Sequence, residues 1–275
     1  MSALVPGVPD ALVIGWVALV GAMVGSFLNV VIYRVPVRRS IVFPGSRCGS
    51  CESPIRWFDN MPVLSWLVLG GRCRRCGVGI SVRYACVEAL TSVAFVAVLL
   101  RFGVAPHTPV YAAFTAAMIA VSFIDADHRI IPDSISKGGI VAGLLVALVL
   151  PAVPGSLLPV SAASAFAGAV LGYVSLLLVA IIGKLVFRQE AMGLGDVKLL
   201  AMIGAFLGPL SFLVVWIVAP TGGALFGVLS SLRRGRRIRG STMPFGPFLA
   251  MGAVGYLLGG SDLLLGWIRS MGPVP

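Results

Sequence analysis

The chain has 275 residues, 58% of them hydrophobic and only 11% charged, with a mean hydropathy of +1.01 and a formal net charge of +11. A soluble domain carries about 25% charged residues, so a single water-soluble globule is excluded. The positive charge does not mark a nucleic-acid partner either. Nine arginines lie between Arg34 and Arg83 and five more in RRGRRIR at 233–239, all in short connections between apolar runs, as the positive-inside rule produces.

Apolar runs fall at about 11–33, 84–104, 108–125, 138–154, 160–187, 197–209, 211–231 and 244–260. A span takes roughly 20 residues, so the expected fold class is an all-α polytopic membrane protein with about eight transmembrane helices. The first run has no basic segment before it and reads as a retained helix, not a signal peptide. The run at 197–209 is short and ends at Gly208-Pro209, which suits a partial or tilted helix. If the loop at 34–83 is cytoplasmic, the N-terminus is outside. The connections 126–137, 188–196 and 232–243, with Arg129, Lys137, Arg188 and RRGRRIR, then fall on the same side.

The loop at 34–83 is the only sizeable polar unit. Its apolar centre, PVLSWLVLG at 62–70, is too short to cross and is either a hydrophobic plug or an interfacial helix. Cys48-x-x-Cys51 and Cys73-x-x-Cys76 are separated by 21 residues, the arrangement of a four-thiolate zinc site. Four protein ligands leave no open position, so the expected metal role is structural. Cys86 reads as a small buried apolar residue. No internal repeat or low-complexity segment is evident. Gly21, Gly25, Gly168, Gly172 and Gly204 suit close helix packing.

Only ten residues are acidic, and two of them end or begin apolar runs: Asp125 and Asp196. Carboxylates at membrane depth are costly and point to function. Asp127 projects some 200° from Asp125 on a continuing helix, and Asp133, after Pro132, suits an N-cap. His128 reads as an interfacial polar residue. Gly193 and Gly195 flank Leu194 ahead of Asp196; glycine permits positive φ and leaves room for an extended substrate, which makes both candidate substrate-binding positions. Asp196 as a simple helix cap is the bland alternative. Asp125 closes a helix and Asp196 opens one, so the helix dipoles suggest Asp196 as the carboxylate and Asp125 as the acid of a pair. From these residues alone, an aspartic protease and an ion- or proton-coupled transporter using the same carboxylates both stand.

The motifs GSFLNVVIYRVP at 25–36, the two CxxC hooks, RWFDNMPVLSW at 56–66, IDADHRIIPD at 124–133, MGLGDVKLLA at 192–201 and PFGPFLA at 244–250 occur in that order. Together they resemble the bacterial type IV prepilin peptidases (leader peptidase/N-methyltransferases), GxGD-type intramembrane aspartic proteases. The resemblance implies cleavage of a short basic leader after a glycine in prepilins and pseudopilins, with Asp125 and Asp196 catalytic. It also implies N-methylation of the new terminus with S-adenosylmethionine, whose binding residues are not assigned. The implied division is a first transmembrane segment at 1–33, a zinc-binding cytoplasmic loop domain at 34–83, a membrane-embedded peptidase domain at 84–260 and a tail at 261–275. The implied location is the bacterial inner membrane, among lipid and protein substrates, with both aspartates at the cytoplasmic face and no nucleic acid involved.

Overall fold

A computed structural model describes residues 4–150, 152, 157–158, 160–187, 193–234 and 244–271. The expected basic connections at Arg188 and at 235–239 lie outside the described residues. All eight apolar runs form helices: α1 (Asp10–Arg34), α3 (Val82–Phe102), α4 (His107–His128), α5 (Asp133–Val149), α6 (Ala162–Phe187), α7 (Leu194–Leu207), α8 (Ser211–Arg234) and α9 (Gly246–Gly255). A short α2 (Leu64–Val68) lies in the polar loop, and α10 (Ser261–Ser270) continues from α9 through a π-helical turn, Tyr256–Gly260. The last apolar helix thus runs past residue 260, into the segment expected as tail. Six of the described helical stretches are long and apolar enough to cross a membrane; α5, with 17 residues, and α7, with 14, are shorter. Among the described residues there is no β-strand, only isolated bridges. Helices suit lipid because each satisfies its own backbone groups.

The chain divides into two compact units, Met1–Ala120 and Val121–Pro275. In the first, α3 packs along α1, so this unit extends beyond the loop at 34–83. The helices meet at small residues: a Cβ on Gly25 would stand 2.6 Å from Glu88 Cα, and one on Gly21 would stand 2.8 Å from Ser92 Cα. Ser81 starts α3 by accepting from Arg83 N–H, and Gly103, at φ +66, ends it. Cys86, expected buried, is exposed on α3; a thiol is apolar enough to stand on a face that lipid covers.

In the second unit α7 is the central rod. Ten of its residues are buried, among them every one from Leu199 to Leu207, by α5, α6, α8 and α9. Gly168 of α6 and Gly204 of α7 stand backbone to backbone, and a Cβ on Gly172 would reach within 2.6 Å of the Leu200 carbonyl oxygen. Without a hydrophobic driving force between helices in lipid, such close van der Waals packing is what holds them together.

Candidate functional site

Asp125 lies in the last turn of α4, which runs on to His128 before Arg129 turns left-handed at φ +55. The Arg129 N–H returns to the Asp125 carbonyl at 2.9 Å, closing the helix on the acid. Helical continuity puts Asp127 on the exposed side with His128, while Asp125 is only 5% exposed. Its Oδ2 accepts the backbone N–H of Gly246, at the start of α9, at 2.8 Å. A Cβ on Gly246 would stand 2.9 Å from that oxygen and 3.2 Å from Asp125 Cβ and Cγ, so only glycine lets the backbone approach this closely. Gly246 was legible only as part of a motif string, and its partner is 121 residues away in sequence.

Asp196 sits in the first turn of α7, close enough to Asp125 for the two charges to repel. Its Oδ1 is buried and has no hydrogen-bond partner. Gly193, not Asp196, is the N-cap, so the simple capping role is not the one the acid plays. Neither flanking glycine uses the left-handed region: Gly193 has φ −76, and Gly195 is helical. Their value is space. A Cβ on Gly193 would find only Asp196 Oδ2, at 3.8 Å, and the Gly195 nitrogen, at 3.9 Å, leaving the exposed approach to the carboxylate open. Gly195 instead faces Ile131, whose Cβ would lie 3.1 Å from an added methyl.

Asp133 is not an N-cap. Pro132 holds that position, and Asp133, one residue inside α5, pairs with Lys137 at 2.7 Å and with Lys198 of α7 at 2.6 Å. The two ammonium groups, Lys137 first, hold its carboxyl below the usual range. This pair ties the start of α5 to the helix that carries Asp196.

The cysteines form a second site. The Sγ atoms of Cys48, Cys51, Cys73 and Cys76 all lie within 4.8 Å of one another, and Cys48 and Cys76 are 3.7 Å apart. Tetrahedral zinc with sulfur at about 2.3 Å separates its ligands by about 3.8 Å, so the donor set fits one zinc ion. Hydrogen bonds from Ser53, side chain first, hold the Cys51 thiol down to about 6, in the range where the ligating thiolate forms. The two hooks are structural copies offset by 25 residues. Cys48 N–H bonds Ser53 O at 3.0 Å as Cys73 N–H bonds Val78 O at 2.9 Å, and Ile55 N–H bonds Ser46 O as Ile80 N–H bonds Gly71 O. Left-handed Glu52, φ +53, and Gly77, φ +71, occupy matching corners. SRCGSCESPI and GRCRRCGVGI are therefore an internal repeat that the sequence reading missed, because only Arg, the two Cys and Ile coincide.

A cavity of about 200 Å³ at the other end of α7 is lined by Ser161, Ser164, Leu207 and Tyr256. Ligand pockets take roughly 300 Å³ or more. With no charged group among the described residues of its lining, this cavity does not fit S-adenosylmethionine.

Fold and site define a polytopic membrane protein with two carboxylates at one end of a helix bundle and a tetracysteine loop. Residues 19–102 match the bacterial peptidase A24 N-terminal domain, and residues 112–228 match the type IV leader peptidase family. The prepilin leader peptidase/N-methyltransferase of Myxococcus xanthus (strain DK1622) is 43% identical over 232 residues, 84% of this chain and 67% of the relative. The Type 4 prepilin-like proteins leader peptide-processing enzyme of Escherichia coli O78:H11 (strain H10407 / ETEC) is 35% identical, across 85% of this chain and 89% of its own. A prepilin leader peptidase/N-methyltransferase of Pseudomonas putida is 36% identical, across 92% and 93%. No solved structure matches the chain. The chain belongs to the type IV leader peptidase family, and it is a membrane-embedded peptidase of that class.

Proposed function

We propose that this protein removes the leader from type IV prepilins and pilin-like secretion proteins, with Asp125 and Asp196 as the catalytic pair. The observation that carries this reading is a pair of carboxylates close enough to repel, Asp125 buried and held by Gly246, Asp196 with one buried oxygen left without a hydrogen bond. Two such groups can share one proton. Each carboxylate has a backbone contact, Asp125 with Gly246 and Asp196 with Gly193, but only Asp125 also feels the Arg129 guanidinium, so we assign the charge to Asp125 and the proton to Asp196. This reverses the order that the helix ends alone suggest, because a guanidinium carries a whole charge and a helix end about half of one.

In the reaction, protonated Asp196 donates a hydrogen bond to the scissile carbonyl oxygen while the Asp125 carboxylate takes a proton from a water. The water oxygen bonds to the carbonyl carbon. The tetrahedral intermediate collapses as the C–N bond breaks, and the departing amine receives the proton held by Asp125. No covalent acyl-enzyme forms. Gly193 leaves the path along which an extended leader reaches Asp196, and Gly195 lets α7 lie against Ile131.

The arginines at 34–83 support an N-terminus outside and the pair at the cytoplasmic face of the inner membrane. On this reading residues 34–83 are a cytoplasmic zinc-bearing loop domain and 84–260 the peptidase portion. Methylation of the new N-terminus is proposed on the names of the relatives. Purified protein incubated with a prepilin should release the leader by cleavage after its last glycine, and Asp196→Ala should abolish this. Absence of cleavage by the wild type, or unchanged cleavage by Asp196→Ala, would return the carboxylates to an ion-coupling role.

A further inference from the structure

Glu88 is the one acid buried in α3, at 8% exposure, and the peptidase chemistry does not use it. Its Oε2 accepts the backbone N–H of Val63 at 2.7 Å, and the Ser26 hydroxyl of α1 donates to the same carboxylate. Val63 begins α2 with φ +61, a conformation that a β-branched residue rarely adopts. The carboxylate therefore holds a strained corner of the polar loop against the two long helices.

That contact sets a depth. Glu88 lies five residues beyond Arg83, roughly 7 Å along α3 at 1.5 Å per residue. Arg83 belongs at headgroup level, where the apolar run begins. The Glu88 side chain leans back toward the N-terminus of α3, so its carboxylate draws Val63 to the headgroup–acyl boundary in which interfacial helices lie. Trp66 sits higher, its indole N–H bonded to the Ile80 carbonyl at 3.0 Å just outside α3, the position of an interfacial aromatic. The outer face of α2 is largely exposed among the described residues: Leu64 is 56% exposed, Leu67 60% and Val68 81%. The loop that carries it, 34–83, holds nine arginines against two acids, and Arg56, Arg72 and Arg75 among them are exposed.

We propose that the segment 62–69 is a membrane hook: latched to Glu88, it lies in the lipid interface, where exposed arginines of the same loop engage anionic phospholipid headgroups. Depth, apolar exposure and charge point to the same occupant, and the inference does not depend on the peptidase reading.

The test uses the full-length protein in phosphatidylethanolamine/phosphatidylglycerol vesicles, with a benzophenone amino acid placed at Leu67 or, as control, at exposed Val78 of the second cysteine hairpin. Irradiation should give phospholipid adducts at 67, enriched in phosphatidylglycerol over its share of the vesicle, and none at 78. Glu88→Ala should lose the adduct at 67 while zinc content stays at wild type, and Glu88→Gln, which keeps an acceptor for Val63, should retain it. Equal adducts at 67 and 78, a cross-link from 67 to protein alone, or an adduct unaffected by Glu88→Ala would overturn the hook. Adducts that mirror the vesicle composition would remove the headgroup part.

Discussion

Gly246→Ala makes the most exacting test of the site, because it touches neither carboxylate by substitution. The added methyl would stand 2.9 Å from Asp125 Oδ2 and 3.2 Å from its Cβ and Cγ. Asp125 is 5% exposed, so it has little room to retreat, and the Gly246 N–H bond at 2.8 Å must lengthen or break. A hydrogen bond to a charged group contributes about 1.5–3 kcal/mol. At 1.36 kcal/mol per tenfold in rate, kcat/KM for prepilin cleavage should fall about ten- to hundredfold. The melting temperature should fall too, since Gly246 is buried and the bond it loses belongs to the resting fold, so cleavage is compared well below the unfolding transition of the variant. Gly223→Ala, whose methyl would meet Phe248 at an ordinary 3.7 Å, is the matched control and should cleave at the wild-type rate. A Gly246→Ala enzyme within twofold of wild type would refute the role given to that N–H.

Gly204→Val should drive α7 from Gly168 of α6, and overpacking of this kind costs about 1–3 kcal/mol, visible as a lowered melting temperature in detergent together with lost cleavage. Replacing Cys48 and Cys51 with serine should remove about one zinc per chain by metal analysis. It should destabilise the loop before any defect in cleavage appears. Because Lys137 and Lys198 depress Asp133 in the folded state, its contribution is complete above the unfolded value near 4 and is lost as pH falls through the lowered one. The gap in melting temperature between wild type and Lys198→Ala should therefore shrink below about pH 4. A gap that persists in acid would mean that Lys198 acts by packing instead.

Much of this was legible in the sequence because its signals are local. Twenty-residue apolar runs, C-x-x-C spacing and the 3.6-residue phase that separates Asp125 from Asp127 each need only neighbours. What failed was long-range. The partner of Asp125 comes from 121 residues away. Asp133 was read as a cap because Pro132 precedes it, but its role is set by Lys198 on another helix. The duplicated cysteine hairpins escaped notice because their likeness is in backbone hydrogen bonds, while most of their side chains differ. Glu88 gave no signal beyond being an acid near the start of an apolar run.

The shortness of α7 has a mechanical consequence. Fourteen residues rise about 21 Å, against a hydrocarbon layer of about 30 Å. A helix that touched lipid would answer such mismatch by tilting or by thinning the bilayer. From Leu199 to Leu207 α7 is sheathed by protein, so acyl chains have little to push on there. Thickness differences between membranes act on the outer helices and reach Asp196 only through them, and the seat of α7 is set by its glycine contacts with α6 rather than by the width of the bilayer.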